Sequence, residues 1–342
     1  ALKFLRDNFD LSEPLMALLK SIPDLERALS RVSLERAGPR DLANISKGLI
    51  QGKEIASLFK NHELPAELKL ALEKLTGHDE ISSTLEKAIV PEPPLLVRDG
   101  GFVTEQFNSE LDETRELKRD GTKIIAEMQR DFIELTGIQS LKIKFNNVLG
   151  YFIETTAKNA EKLQNSTIAD NFIHRQTTAN QMRFTTLSLS ETETKIINAN
   201  AKALEIEKQI FNELSALIIQ NFVKISAAAE ALAVIDITNS LATLARDEEW
   251  CRPKIDSSKA FAIQGGRHVV VESSLRNNGN SFIPNDCELS EGSIWLVTGP
   301  NMAGKSTFLR QNALIAILAQ MGCFVPATSA HIGIVSQLFS RV

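Results

Sequence analysis

The chain has 342 residues, of which 43% are hydrophobic, and a formal net charge of −5. The apolar content excludes global disorder, and the length suits two or three domains. The acidic balance disfavours a protein that binds nucleic acid over its whole surface, while leaving room for a local basic patch. Cys251, Cys287 and Cys323 form no C-x-x-C pair, and no run of 18 apolar residues occurs. Free thiols in a reducing compartment and a soluble, cytoplasmic protein are therefore expected.

Residues 1–90 read as short helices separated by turn signals. Ser21-Ile22-Pro23-Asp24 starts one, with Pro23 near its first position, and Gly38-Pro39, Leu64-Pro65 and Gly77-His78-Asp79 punctuate the others. Pro91-Glu92-Pro93-Pro94 marks a connection, and Arg98-Asp99-Gly100-Gly101 a turn. No proline follows from 95 to 252 and no glycine from 151 to 264, so long helices are permitted. Residues 105–135 are highly charged with an apolar thread of Phe107, Leu111, Ile124, Ile125, Met128 and Phe132. Residues 190–247 carry a second pattern through Ile206, Ile210, Leu214, Leu217, Phe222 and Ile225, with Ser190-x-x-Glu193 as a capping-box start. These are two ordinary bundle helices or an antiparallel pair of arms.

The stretch between them alternates at Leu141–Phe145 and is β-prone at Gly150–Thr155 and Thr185–Leu187, which predicts a small sheet at the tip of the arms. From 139 to 185, Lys142, Lys144, Lys158, Lys162, Arg175 and Arg183 outnumber Glu154, Glu161 and Asp170 by three charges. Asn146, Asn147, Gln176, Thr177, Asn180 and Gln181 add neutral hydrogen-bonding groups. Such mixtures grip sugar-phosphate backbones, although a solvated loop has the same composition.

Gly299-x-x-x-x-Gly304-Lys305-Ser306 is a complete phosphate-binding loop. Its glycines let backbone N–H groups turn towards phosphate oxygens. Lys305 supplies a point charge, Ser306 offers a hydroxyl to Mg²⁺, and a helix starting at Lys305 aims its positive end at the same anion. Ser293–Val297 reads as the buried strand before the loop. Thr307–Met321 reads as the helix after it, with Phe308, Leu309, Ala313, Ile317 and Met321 largely on one face.

Thr298-Gly-Pro-Asn-Met-Ala-Gly-Lys-Ser-Thr-Phe-Leu-Arg310, followed by Gln311, resembles the nucleotide loop of the MutS family of DNA mismatch repair proteins, TGPNM-x-GKST-x-x-RQ. The resemblance covers essentially the whole chain in the family's order. Asp24–Arg31 with Pro39–Leu42 is similar to the start of the family's core and levers, and Arg98–Gly101 with Phe107-Asn108 and Glu110–Asp112 to its descending lever. Leu141-Lys142, Phe145-Asn146 and Gly150–Ile153 are similar to its clamp. Gly266–His268, Val270–Glu272 and Phe282-Ile283 are similar to the first part of its ATPase domain.

The resemblance implies a multidomain, mainly α protein with a β-rich clamp and a truncated α/β P-loop NTPase domain. The divisions are a helical core at 1–104, a descending lever at 105–137, a DNA clamp at 138–187, a returning lever at 188–249 and the start of the ATPase at 250–342. It also implies a fragment, lacking the mismatch-reading domain and the later catalytic motifs, and therefore weak nucleotide binding with negligible turnover. ATP or ADP with Mg²⁺ would be held by Gly299, Pro300, Asn301, Met302, Ala303, Gly304, Lys305, Ser306 and Thr307, with Phe282 stacked on adenine beside Ile283. Lys305 and Ser306 would be the catalytic pair, and Ser306 the metal ligand.

Lys142, Lys144, Arg175, Asn180 and Arg183 would contact DNA. Ala179 replaces the family's common Lys before Asn180, removing one phosphate cation, and Lys144 compensates. Val269 replaces the usual Pro after His268, implying a local backbone change, and His268 itself reads as structural. The implied partners are mismatched double-stranded DNA, a second copy of the chain and a downstream factor of MutL type. The implied function is ATP-dependent mismatch repair. The alternative is a MutS-like clamp on recombination or branched DNA. A chromosome-structuring ATPase is excluded, because its coiled-coil arms would need many more heptads.

Overall fold

The structure is a computed structural model that describes residues 1–146, 148–164, 171–178, 180–301 and 303–340. Twelve helices and eight strands are assigned among these residues, and they fall into two compact units. One unit comprises residues 1–26, 48–79 and 223–342, the other 27–47 and 80–222.

The chain opens with α1 (Leu2–Asp7), α2 (Ser12–Ser21), α3 (Leu25–Ser33), α4 (Pro39–Leu58), α5 (Ala66–Glu73) and α6 (Asp79–Ala88). Pro39 takes the first position of α4, as its fixed φ and missing donor favour. α3 begins at Leu25, so Pro23 lies before the helix rather than at its first position.

In the 27–47/80–222 unit, α7 (Ser109–Thr136) is capped by Asn108, whose side chain accepts from the Leu111 N–H at 2.9 Å. It ends at Gly137, which adopts the left-handed conformation that terminates helices. The segment after α7 folds as β1 (Lys142–Asn146), β2 (Gly150–Thr156), α8 (Ala157–Gln164), β3 (Ile173–Thr177) and β4 (Gln181–Thr185). The strands form one antiparallel sheet in the order β1-β2-β4-β3. α9 (Leu187–Gln220) returns along α7.

The capping box expected at Ser190 does not form. Thr186 caps α9 by accepting from the Leu189 N–H at 3.1 Å. Glu193 instead accepts from the Tyr151 N–H at 3.1 Å, which ties the arm to β2. Of the apolar thread, Leu111 and Ile125 on α7 are buried, whereas Ile124 and, just before the helix, Phe107 face solvent. Ile125, Ile138, Leu141, Ile153, Phe184, Leu189 and Ile196 form the core between the arms and one face of the sheet. Near the start of α7, the Glu207 carboxylate is buried. It accepts from the Gly101 N–H and from Arg115, which also donates to the Val103 carbonyl at 2.9 Å. The Arg98–Gly101 turn thus wraps a buried anion.

The return expected at 188–249 is two helices, because α9 stops at Gln220 and α10 (Phe222–Asp247) follows Asn221. The Asn221 side chain donates to the Leu217 carbonyl at 3.0 Å, competing with the helical ladder. α10 is long and apolar enough to cross a membrane by length and composition alone. In its own unit it buries Ile225, Ala228, Leu232 and Ile235, and its buried Asn239 accepts from Ser12 at 3.0 Å.

The remaining elements are β5 (Lys254–Asp256), β6 (Phe261–Gly266), α11 (Val269–Asn277), β7 (Asn285–Glu288), α12 (Lys305–Gln320) and β8 (Ser329–Gly333). The sheet order is β5-β8-β6-β7, with β5 and β8 parallel and the other pairs antiparallel. Ile263, Cys287, Ile315, Ala319, Val325 and Ile332 form the core between this sheet and α12. All three cysteines are free thiols, and burial pushes each pKa up, which favours the neutral thiol.

Candidate functional site

The phosphate loop leads into α12 at Lys305, where the sequence places the helix start. Gly304 caps it at φ +85°, and Gly299 stands at φ +150°, both conformations that favour glycine. The Lys305 ammonium lies within the loop and donates to the Gly299 and Pro300 carbonyls, the latter at 2.7 Å. Asn301, Ala303, Gly304 and Ser306 are exposed, Thr307 is half-buried, and Met302 lies outside the described residues.

This arrangement fits a nucleotide phosphate. The first N–H groups of a helix have no partner within the helix, and Lys305 places a cation against the same turn. No cluster of three or more His, Cys, Asp or Glu occurs among the described residues. A Mg²⁺ ion would therefore depend on the exposed Ser306 hydroxyl, with phosphate oxygens and water completing its shell.

The surroundings of the loop differ from the expectation in two respects. Residues 293–297 are not a strand, and Ile294 and Leu296 are 93% and 88% exposed. A strand of a parallel sheet is stable when flanked and covered, and neither sheet among the described residues pairs with this segment. Trp295 stacks parallel to Phe308 at 6.5 Å between ring centres. In α12 the buried residues are Gln311, Asn312, Ile315, Ala316 and Ala319, while Leu309, Ile317 and Met321 face solvent. The face that packs on β6 and β8 is thus more polar than the one chosen by hydrophobicity.

Phe282 is half-buried, and Ile283 is 81% exposed, on the stretch leading to β7. Asn285 fixes this stretch. Its side chain donates to the Ile283 carbonyl at 3.0 Å and to Gln311 Oε1 at 3.3 Å, linking the expected base-binding segment to the helix behind the phosphate loop. Gly266 lies where these elements meet, and a β-carbon there would stand 2.7 Å from Gln311 Nε2.

His268 is buried and caps α11, its Nδ1 accepting from the Val271 N–H at 3.4 Å, which is a structural role. Val269 occupies the first position of α11, which proline and valine both accept. The exchange therefore needs no backbone change.

The second site is the sheet face turned away from the core. Lys142, Lys144 and Asn146 of β1, Phe152 and Glu154 of β2, and Gln181 and Arg183 of β4 share it by strand alternation and register. Glu154 is its centre. The carboxylate is buried and accepts from Lys144 at 2.6 Å and from Arg183 at 3.1 Å. Burial on its own raises its pKa, but the hydrogen bonds and charges of Lys144 and Arg183 outweigh that and hold it below the ordinary carboxylate value.

Arg183 also donates to Gln176 at 2.8 Å, and its guanidinium carbon lies 4.6 Å from the centre of the Phe152 ring. Lys142, Arg175 and Asn180 are exposed. Arg175 sits in the irregularity between His174 and Gln176, where the register of β3 against β4 shifts. Asn147, Asp170 and Ala179 lie outside the described residues, as does the Lys162 side chain.

In composition Glu154 is only a subtraction from a basic patch, and Phe152 and Gln176 are incidental. Their part emerges from cross-strand register, which puts Arg183 opposite Glu154 and Lys144 opposite Phe152. The only signal in the sequence is a lone acid two positions after an aromatic in a β-prone run flanked by basic strands.

Residues 106–202 match MutS family domain IV, and residues 295–342 match MutS domain V. The chain belongs to the MutS family. It is 56% identical over 335 residues to the DNA mismatch repair protein MutS of Dinoroseobacter shibae, covering 97% of this chain and 38% of the relative. Identity to the protein of the same name from Roseobacter denitrificans is 56% over 347 residues, covering 100% of this chain and 40% of the relative. For that of Paracoccus denitrificans it is 57% over 345 residues, covering 100% and 39%. The chain therefore spans about two fifths of the length of the curated relatives it matches.

Proposed function

We propose that this chain supplies the DNA-gripping clamp, its lever arms and the phosphate-binding loop of an ATP-dependent DNA mismatch repair protein. Residues 1–104 serve as helical core, 105–137 and 188–249 as levers, 138–187 as clamp and 250–342 as the first part of a P-loop nucleotide domain. The observation that carries the reading is the Lys305 ammonium seated inside a glycine loop at the start of α12. The names of the relatives, which match the chain from end to end, favour mismatch repair over the branched-DNA alternative.

In this reading Lys305 leaves the Gly299 and Pro300 carbonyls for the outer phosphates, while the N–H groups around Gly304 hold the inner ones. Ser306 holds Mg²⁺, which supplies charge neutralisation to the phosphates. Phe282 stacks on the base, with Ile283 beside it. The clamp presents Lys142, Lys144, Arg175, Asn180 and Arg183 to the DNA backbone, which gives affinity without sequence preference. The paired arms transmit changes at the nucleotide site, and the assembly acts as a cytoplasmic homodimer that hands mismatched duplex to a MutL-type factor.

Titration with a fluorescent ATP analogue and Mg²⁺ tests the loop. Lys305→Ala lowers affinity at least about tenfold, the cost of one charge-assisted hydrogen bond to phosphate, with the far-ultraviolet circular dichroism unchanged. Equal affinity of both forms would remove Lys305 from the site.

A further inference from the structure

The outward clamp face is organised around an anion. A carboxylate whose side chain is only 5% exposed lies between two cations of unequal freedom, Arg183 at 22% and Lys144 at 49% exposure. Arg183 is held three ways, by Glu154, by the Gln176 amide oxygen and by the Phe152 ring beneath it. For Lys144 the one polar partner among the described residues is Glu154. Gln181 can serve the same carboxylate, its amide nitrogen standing 3.0 Å from each oxygen when turned to face it. A buried carboxylate deprived of every cation would be left unpaired at high cost, so at most one of the two can leave. The looser one is Lys144.

We propose that Glu154 is the positioning residue of the clamp face: it fixes Arg183 against Phe152 and occupies Lys144 in place of a phosphate. On binding, Lys144 exchanges the carboxylate for a DNA phosphate oxygen while Arg183 stays. The carboxylate is thus a built-in competitor that mimics the ligand, and it lowers the non-specific affinity of the face. Lys142 and Arg175, exposed and without an ion pair among the described residues, are the first to meet the duplex. The proposal rests on reading this face as the DNA surface.

Two measurements on the full chain test it. The first needs no DNA. The Nε–H of Arg183, bonded to Glu154, gives a slowly exchanging arginine resonance in wild type that persists in Lys144→Ala and disappears in Glu154→Ala, which leaves no acceptor at this position. A signal unchanged in Glu154→Ala overturns the positioning role.

The second is anisotropy titration of a short fluorescent duplex at several salt concentrations. Glu154→Gln binds about threefold to tenfold more tightly than wild type at low salt, as expected for removing one like charge several ångströms from a phosphate, and the gain fades as salt rises. Lys144→Ala reduces the slope of log affinity against log salt by about one, as expected when one phosphate is no longer neutralised. Binding by wild type with no gain in Glu154→Gln overturns the exchange alone. Absence of salt-dependent binding in every form, Lys142→Ala and Arg175→Ala included, overturns the reading of the face as a DNA surface and the exchange with it.

Discussion

At Gly150 a backbone φ of +71° coincides with the Glu193 carboxylate, which stands 1.6 Å from where a β-carbon would be. Gly150→Ala must strain the turn and displace the acceptor of the Tyr151 N–H. It should cost about 2–3 kcal/mol of unfolding free energy in urea titration. A change of a few tenths would mean that Glu193 moves aside freely. Glu154 adds a pH dependence with a definite sign. Its folded pKa lies below the ordinary value of 4.5, so its contribution to stability is present above that value and disappears as pH falls through the folded pKa. Lys144, Arg183 and Gln181 face the carboxylate. Melting temperature should therefore fall more steeply in wild type than in Glu154→Gln between about pH 5 and pH 3. Parallel acid limbs would contradict the ion-pair account.

Among the elements, the packing of α7 on α9 depends on Gly121. A β-carbon there would stand 2.5 Å from Ile196 Cγ1, so a residue that weakens an isolated helix permits two helices to approach closely. Gly121→Val should destabilise the pair by about 1–3 kcal/mol, and Ile196→Ala in the same chain should recover part of that stability. Additive effects in the double variant would mean that the two side chains do not touch. The existence of both arms and of β1 and β2 was legible in the sequence, because breakers are scarce across the arms and alternation is strong in the strands. The break at Asn221 was not, since it carries no Gly or Pro and depends on one side chain returning to the Leu217 carbonyl. The buried face of α12 was also missed. Gln311 is buried and its amide oxygen accepts from Asn285 of the preceding strand, a pairing that hydrophobic periodicity cannot register.

For the whole molecule, the glycine loop and the helix start at Lys305 were legible, because they are written in a few consecutive residues, whereas the strand expected before them does not form. The cations of the 142–185 sheet were legible as a composition but not as a geometry. Whether a lysine offers its charge to DNA or to a neighbouring carboxylate is decided by strand register, and for Lys144 and Arg183 the partner found is Glu154. In the proposed reading two ligands meet on one chain, a nucleotide at Lys305 and a duplex at the outward sheet face. The most direct test of the first is calorimetric titration of Mg²⁺-ATP into wild type and Lys305→Ala at matched helical content. Wild type should bind in a Mg²⁺-dependent manner, and the variant should bind at least about tenfold more weakly. Binding that is equal in the two forms, or indifferent to Mg²⁺, would contradict a nucleotide held by this loop.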